Sequence, residues 1–186
     1  MKKLIKKYNI NGADNLKTLS RQHIFNGKII KVYKDEVELS NGIKTTREVV
    51  SHREAVAVAA VNDKQEILLV TQYRYPIGKE LIELPAGLVD EGEDILEAAK
   101  RELMEETGYQ AAKWELLTST YTSPGCHDEK VHIFAASGLT PVFGQNLDAD
   151  EVLTFSLMPF TEALKLVKTG VIEDCKTIIG ILLCSK

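Results

Sequence analysis

The sequence predicts an α+β fold, a sheet of short strands with helices on its faces, and three observations carry the prediction. Short apolar runs recur between turn signals, a single strongly periodic helical stretch interrupts them at Glu93–Thr107, and the last third of the chain turns helical. The 186 residues, 44% hydrophobic and 27% charged, suit one ordinary globular domain with a sizeable core.

Taken in order, the elements justify that class. Residues 1–20 are polar and read as an arm, helical or irregular. From Ile24 to Tyr33 and from Glu36 to Leu39 apolar residues alternate, and Asn41-Gly42 is a two-residue hairpin signal before Thr45–Val50, so a small antiparallel sheet is expected. Ala55–Val61 and Ile67–Thr71 are apolar runs joined by Asn62-Asp63-Lys64-Gln65, a second hairpin, and Leu81–Pro85 adds a short strand. Trp114–Thr122, Lys130–Ala136 and Val152–Met158 read as the later strands. Thr161–Thr169 reads as a helix with a partial capping box, since Leu164 stands where a glutamate would complete it, and Gly170 stops it. Asp174 then caps a helix over Thr177–Cys184 that is apolar nearly all round, as expected of a helix packed on a sheet or a partner.

Composition excludes several function classes. Net charge is −4, and no basic cluster exceeds Lys2-Lys3 or Lys6-Lys7, so no nucleic-acid surface is expected. The first residues lack the apolar core of a signal peptide and no apolar run approaches the ~20 residues of a membrane span, which leaves the cytoplasm as the expected location and no membrane partner. Cys126, Cys175 and Cys184 are odd in number and match no zinc spacing, so free thiols are expected.

The chemistry concentrates between Gly87 and Tyr109. Gly92 breaks the chain, Glu93 and Asp94 stand where acids favour a helix N-terminus, and Gly108 ends the helix. Leu96, Ala99 and Leu103 form its apolar stripe with Ile95 on the shoulder. At about 100° per residue Glu102 and Glu106 lie only about 40° apart and Glu105 about 60° from Glu102, so the three carboxylates make one ridge. Like charges at this spacing cost about 0.2–0.5 kcal/mol per pair, and Glu105 and Glu106 also face the negative end of the helix dipole. A divalent cation would offset that repulsion, whereas Asp90, Glu91, Glu93 and Asp94 need only solvent.

Gly87, five residues, Glu93, seven residues and then Arg101-Glu102-Leu103-Met104-Glu105-Glu106-Thr107-Gly108-Tyr109 resembles the Nudix box at every fixed position over 23 contiguous residues. The resemblance implies an α/β/α sandwich that binds Mg2+, or Mn2+, and hydrolyses a nucleoside diphosphate linked to another moiety. It implies Glu102 and Glu106 as metal ligands, Glu105 as a ligand or an assistant to one, and Arg101 with Glu93 as a brace for the loop. Hard oxygen ligands suit Mg2+, which keeps waters and shares its shell with substrate phosphates.

From Arg47 to about Leu183 the chain is similar to the ADP-ribose pyrophosphatase branch of that family, through Arg47-Glu48-Val49-Val50, Gln72-Tyr73-Arg74, Glu83-Leu84-Pro85-Ala86-Gly87, Ser123-Pro124-Gly125 and the tail Gly170–Thr177. The similarity implies that the Ala86 carbonyl completes the metal shell, that Arg74 contacts the diphosphate or terminal ribose, and that Leu88 and Ser123 line the pocket. It implies further that residues 1–50 form an arm and hairpin crossing to a partner in a homodimer, where Arg47 and Glu48 reach the adenosine side of the neighbour's site, with the Nudix domain over 51–186. The general base of this branch lies on an acidic loop, here Leu147–Glu151, which favours Glu151; Glu129, after the box, is the other candidate. Ala149 departs from the fully acidic run of relatives, and Arg53-Glu54 stands where relatives often carry a glycine. His132 reads as a structural strand histidine, while His127 sits in the Ser123–Glu129 loop within reach of a substrate. The substrate alternatives are ADP-ribose and GDP-mannose or another nucleotide sugar; a sensing module that binds without cleaving commonly loses box carboxylates, which this chain keeps.

Overall fold

The structure, a computed structural model, describes residues 16–142, 144–147 and 152–185. The chain forms two compact units, residues 1–52 with 125–128, and residues 53–124 with 129–186. Among the described residues no helix is long and apolar enough to cross a membrane.

The first unit is an antiparallel sheet of β1 (Lys17–Asn26), β2 (Lys31–Glu38) and β3 (Lys44–Ser51). Strand β1 begins inside the stretch the sequence reads as an arm, because Lys17 through Asn26 pair along β2 from Glu38 back to Lys31. Its ten residues are all exposed. The Asn41-Gly42 turn is a three-residue loop, one longer than the dipeptide signal predicts. The Leu39 N–H donates to the Ile43 carbonyl and the Gly42 N–H to the Leu39 carbonyl, with Gly42 at φ +81°, so the glycine takes the left-handed place after the turn. Buried Asp35 accepts a two-pronged hydrogen bond from Arg21 at 2.8 and 2.7 Å.

The second unit is the α/β/α sandwich. Its mixed sheet runs β10 (Leu153–Pro159), β5 (Glu66–Arg74), β4 (Ala55–Val61), β9 (Lys130–Pro141), β8 (Tyr109–Tyr121), with β6 (Lys79–Glu83) on β5 and β7 (Ala86–Leu88) on β4. Central β4 pairs parallel with β9 and is buried from Ala55 to Ala60, which is why it reads as a continuous apolar run. Val56, Val58 and Ala60 pack beneath α1 (Ile95–Thr107), against Ala98, Ala99 and Leu103. Ala55, Ala57 and Ala59 face the other way, toward α2 (Phe160–Lys168) and α3 (Cys175–Cys184), against Ala163 and Ile181.

The expected β4–β5 hairpin opens almost at once. Only Val61 and Ile67 pair directly; beyond them β4 pairs with β7, and β5 with β6 on one side and β10 on the other. The divergence admits the segment Glu83–Leu88 into the sheet, and Val58 N–H donates to the Pro85 carbonyl at 2.9 Å to hold it there. Helix α2 starts at Phe160 after Pro159 with no side-chain cap, so Thr161 lies inside the helix and not at its cap. Helix α3 is capped by Asp174 as expected, but it buries one face only: Thr177, Gly180 and Ile181 are covered while Leu182 and Leu183 are half exposed.

Candidate active site

Helix α1 is fixed at both ends by its own sequence. The Asp94 carboxylate accepts from the N–H groups of Leu96 at 2.9 Å and Glu97 at 3.4 Å, and Gly108, at φ +70°, donates to the Met104 carbonyl. With the ends fixed, the 3.6-residue period sends Ala98, Ala99 and Leu103 into the core and turns Glu102 and Glu106 toward the strand that feeds the helix. Both acids are buried, at 9% and 2% exposure.

Two contacts join them to that strand. The Ala86 N–H donates to Glu106 Oε2 at 2.9 Å. A Cβ placed on Gly87 would lie 2.2 Å from the Glu102 carboxyl carbon and 2.3 Å from each of its oxygens, so the absent side chain is what lets the carboxylate rest on the backbone. Arg101 draws the loop in from the side. It donates to Glu93 through Nε and Nη2, both at 2.9 Å, to Glu102 at 2.6 Å, to Glu105 at 3.0 Å and to the Leu88 carbonyl at 3.0 Å. These bonds, that to Glu93 foremost, raise the pKa of Arg101 above its ordinary value, while Arg101 holds Glu93 below the usual carboxylate range.

Among the described residues no group of three or more His, Cys, Asp or Glu side chains is gathered to hold a metal ion. The donor set at Gly87 nonetheless fits a hard divalent cation. Two buried carboxylates one turn apart stand beside a backbone segment, and Mg2+ is commonly held by one or two carboxylates, with water and substrate phosphates filling its shell.

Arg74, at the end of β5, forks onto buried Glu83 at 2.7 Å for both nitrogens and lies near enough to Glu106 to feel its charge. Burial works against the Glu83 carboxylate, yet hydrogen bonds from Arg74 and the charge of Lys176 outweigh it and leave its pKa lowered. The other expected site residues are more dispersed. Leu88 is half-buried and Ser123 exposed, and Glu129 is half-buried with its carboxylate accepting from the Thr122 hydroxyl at 2.8 Å. Arg47 and Glu48 lie on β3 of the first unit, where Arg47 donates to the Thr46 carbonyl. Glu151, with Asp148, Ala149 and Asp150, lies outside the described residues. The segment before it is tied to α1, however: Gln145 Nε2 donates to the Glu106 carbonyl at 2.6 Å and the Asn146 N–H to the Glu105 carbonyl at 2.8 Å, satisfying carbonyls the helix end leaves open.

His132 is buried on β9, with Nδ1 2.7 Å from the Ser119 hydroxyl and Nε2 2.9 Å from Glu54. His127 packs its ring on His52 within the first unit, and none of the three cysteines is in a disulfide. Sequence reasoning missed Glu83, Lys176, Gln145 and Asn146 as supports of the site. Glu83 and Lys176 sit inside matched motifs, but they are 93 residues apart and no periodicity links them.

The chain is similar to known proteins in both sequence and fold. Residues 51–176 match the NUDIX domain and residues 16–50 the nucleoside diphosphate sugar hydrolase N-terminal domain. The chain is 43% identical to an ADP-ribose pyrophosphatase of Bacillus subtilis (strain 168), over 89% of this chain and 90% of that one. It is 42% identical to a methanol dehydrogenase activator of Bacillus methanolicus, with the same coverage, and 34% identical to a GDP-mannose pyrophosphatase of Cronobacter sakazakii over 74% of this chain and 76% of that one. A solved crystal structure of an ADP compounds hydrolase has the same fold, with a TM-score of 0.82 at 24% identity over 93% of this chain and 94% of its own.

Proposed function

The chain belongs to the Nudix family, and from that premise we propose that it hydrolyses the pyrophosphate bond of ADP-ribose to AMP and ribose 5-phosphate with a divalent cation, Mg2+ or Mn2+. The observation that carries the reading is the junction of Ala86-Gly87 with Glu102 and Glu106, two buried acids placed against a backbone stripped of its Cβ. Glu102, Glu106 and the Ala86 carbonyl would hold the cation. Bound there, it supplies neutralisation of pyrophosphate charge and a water of lowered pKa.

The protein's own groups do the rest. Arg101 and Glu93 keep the loop in register with the helix. Glu105, also on Arg101, supports the acid ridge, and Arg74 presents a guanidinium to the diphosphate. Leu88 and Ser123 line the pocket. Glu151 accepts a proton from the attacking water, with Glu129 as the alternative base. Water oxygen bonds to one phosphorus while the bridging oxygen leaves with the other phosphate, so one P–O bond forms and one breaks.

ADP-ribose is preferred to GDP-mannose because the relative named for it is more similar, at 43% against 34% identity. Phosphate release in a coupled phosphatase assay across ADP-ribose, GDP-mannose, ADP-glucose, dinucleotides and NADH, with Mg2+, tests the choice. ADP-ribose is expected to give the highest kcat/KM. A tenfold preference for GDP-mannose, about 1.4 kcal/mol of transition-state binding, would overturn the substrate and leave the family standing.

The same reading makes the protein a homodimer in which Arg47 and Glu48 of β3 serve the partner's site. Exposed Ile24 and Phe25 on β1, at 53% and 54%, offer apolar surface for such an exchange. Light scattering is expected to give a dimer at micromolar concentration. A fully active monomer would remove Arg47 from the substrate site.

A further inference from the structure

Glu83 has more cations than it needs. It is 1% exposed at the end of β6, and a carboxylate so buried requires a charged partner. Arg74 alone would serve, through its two 2.7 Å hydrogen bonds. Lys176, 15% exposed at its side chain, nevertheless also donates to Glu83 and reaches Asp174 at 3.0 Å.

The rest of Asp174 is directed elsewhere. Its second oxygen caps α3, accepting from the Thr177 N–H at 2.9 Å and from the Thr177 hydroxyl. That hydroxyl accepts in turn from the Leu84 N–H at 2.8 Å. The first turn of α3 thus grips the residue after Glu83 and the carboxylate of Glu83 itself, just ahead of Ala86 and Gly87.

The geometry gives Lys176 a purpose. Counted with Asp174, which Lys176 also reaches, the four groups are neutral, so what Lys176 adds is not charge but a second fixed donor on the carboxylate that Arg74 grips. Arg74 uses Nε and Nη2 on Glu83, which leaves Nη1 as the nitrogen that would meet an anion. We propose that Lys176, acting through Glu83, is a positioning residue for substrate binding: it fixes the Glu83 carboxylate, which in turn holds the Arg74 guanidinium in one orientation. The proposal rests on the reading above that Arg74 contacts the diphosphate.

The test compares Lys176→Met, Arg74→Ala and the double variant of the full chain. The readouts are KM and kcat for ADP-ribose and, by calorimetry without metal, the Kd for α,β-methylene ADP-ribose. Lys176→Met is expected to raise KM and Kd about tenfold, the low end of what losing a supporting partner costs, with kcat within threefold of wild type. In the Arg74→Ala background Lys176→Met should add nothing, because its action passes through Arg74. Wild-type KM and Kd in Lys176→Met, or an equal loss in both backgrounds, would overturn the proposal. Arg74→Ala with unaltered KM and Kd would overturn it by a different route, by removing the Arg74 reading on which it stands. Should Lys176→Met melt below the assay temperature, Glu83→Gln repeats the comparison with the side-chain shape kept, and its effect must likewise vanish without Arg74.

Discussion

Gly87→Ala is expected to lower kcat/KM for ADP-ribose about 100-fold while leaving the protein folded. The added Cβ would stand 2.2 Å from the Glu102 carboxyl carbon, where ordinary contacts begin near 3.4 Å. The carboxylate, at the end of a flexible side chain, must therefore retreat by about 1 Å, and a displacement of that size at a reacting centre costs about 100-fold in rate. The backbone has no need to move, since no backbone atom is among the three nearest to that Cβ. Urea unfolding should accordingly remain close to wild type, and the Mg2+ concentration for half-maximal activity should rise. Glu106→Gln is the companion: it keeps the shape and the hydrogen bond from Ala86, removes the charge, and should weaken metal dependence in the same direction. A Gly87→Ala variant with wild-type kinetics would show that Glu102 does not act from the position it occupies here.

Glu151→Gln is expected to lower kcat by about 10²–10⁴, the usual worth of a general base, with KM and metal dependence little changed. Helix geometry cannot place Glu151, as it places Glu102 and Glu106. Upstream of it in sequence, Gln145 and Asn146 bond the carbonyls of Glu106 and Glu105. That tether brings the chain to the carboxyl end of α1 only a few residues before the acid. Glu129 stands in a different situation: its carboxylate already accepts from the Thr122 hydroxyl at 2.8 Å across the β8–β9 turn. Glu129→Gln should thus change kcat by less than about tenfold. Stopped-flow or steady-state kinetics on the pair decides the matter, and the opposite pattern would move the base to the Glu129 loop.

Much of the site is legible in the amino-acid order alone. The caps of α1 are local signals, read from Asp94 and Gly108, and once both ends are known the period of the helix places Glu102 and Glu106 on one ridge. Gly87 is legible as a motif position, but its reason is not. That reason is a contact with a side chain fifteen residues later, visible only when strand and helix are packed.

The sequence by itself determined the class of fold and the helix that carries the acids, because these depend on turn signals, periodicity and capping within a few turns of chain, and the box was legible through its position-by-position resemblance to the Nudix family. It missed the length of the Asn41-Gly42 loop and the start of α2, where pairing partners and packing override the local signal. Tertiary structure decided the rest. The early opening of β4 and β5 admits Glu83–Leu88 to the sheet, because β6 takes the edge of β5, and β7 the edge of β4, that a longer hairpin would have joined, while β10 covers the other edge of β5. The fork of Arg74 on Glu83, and the hold of Lys176 and Thr177 on that segment, join residues 9 and 93 apart. Such contacts are selected by burial, which leaves a carboxylate no choice but a partner, and burial is a property of the folded chain as a whole.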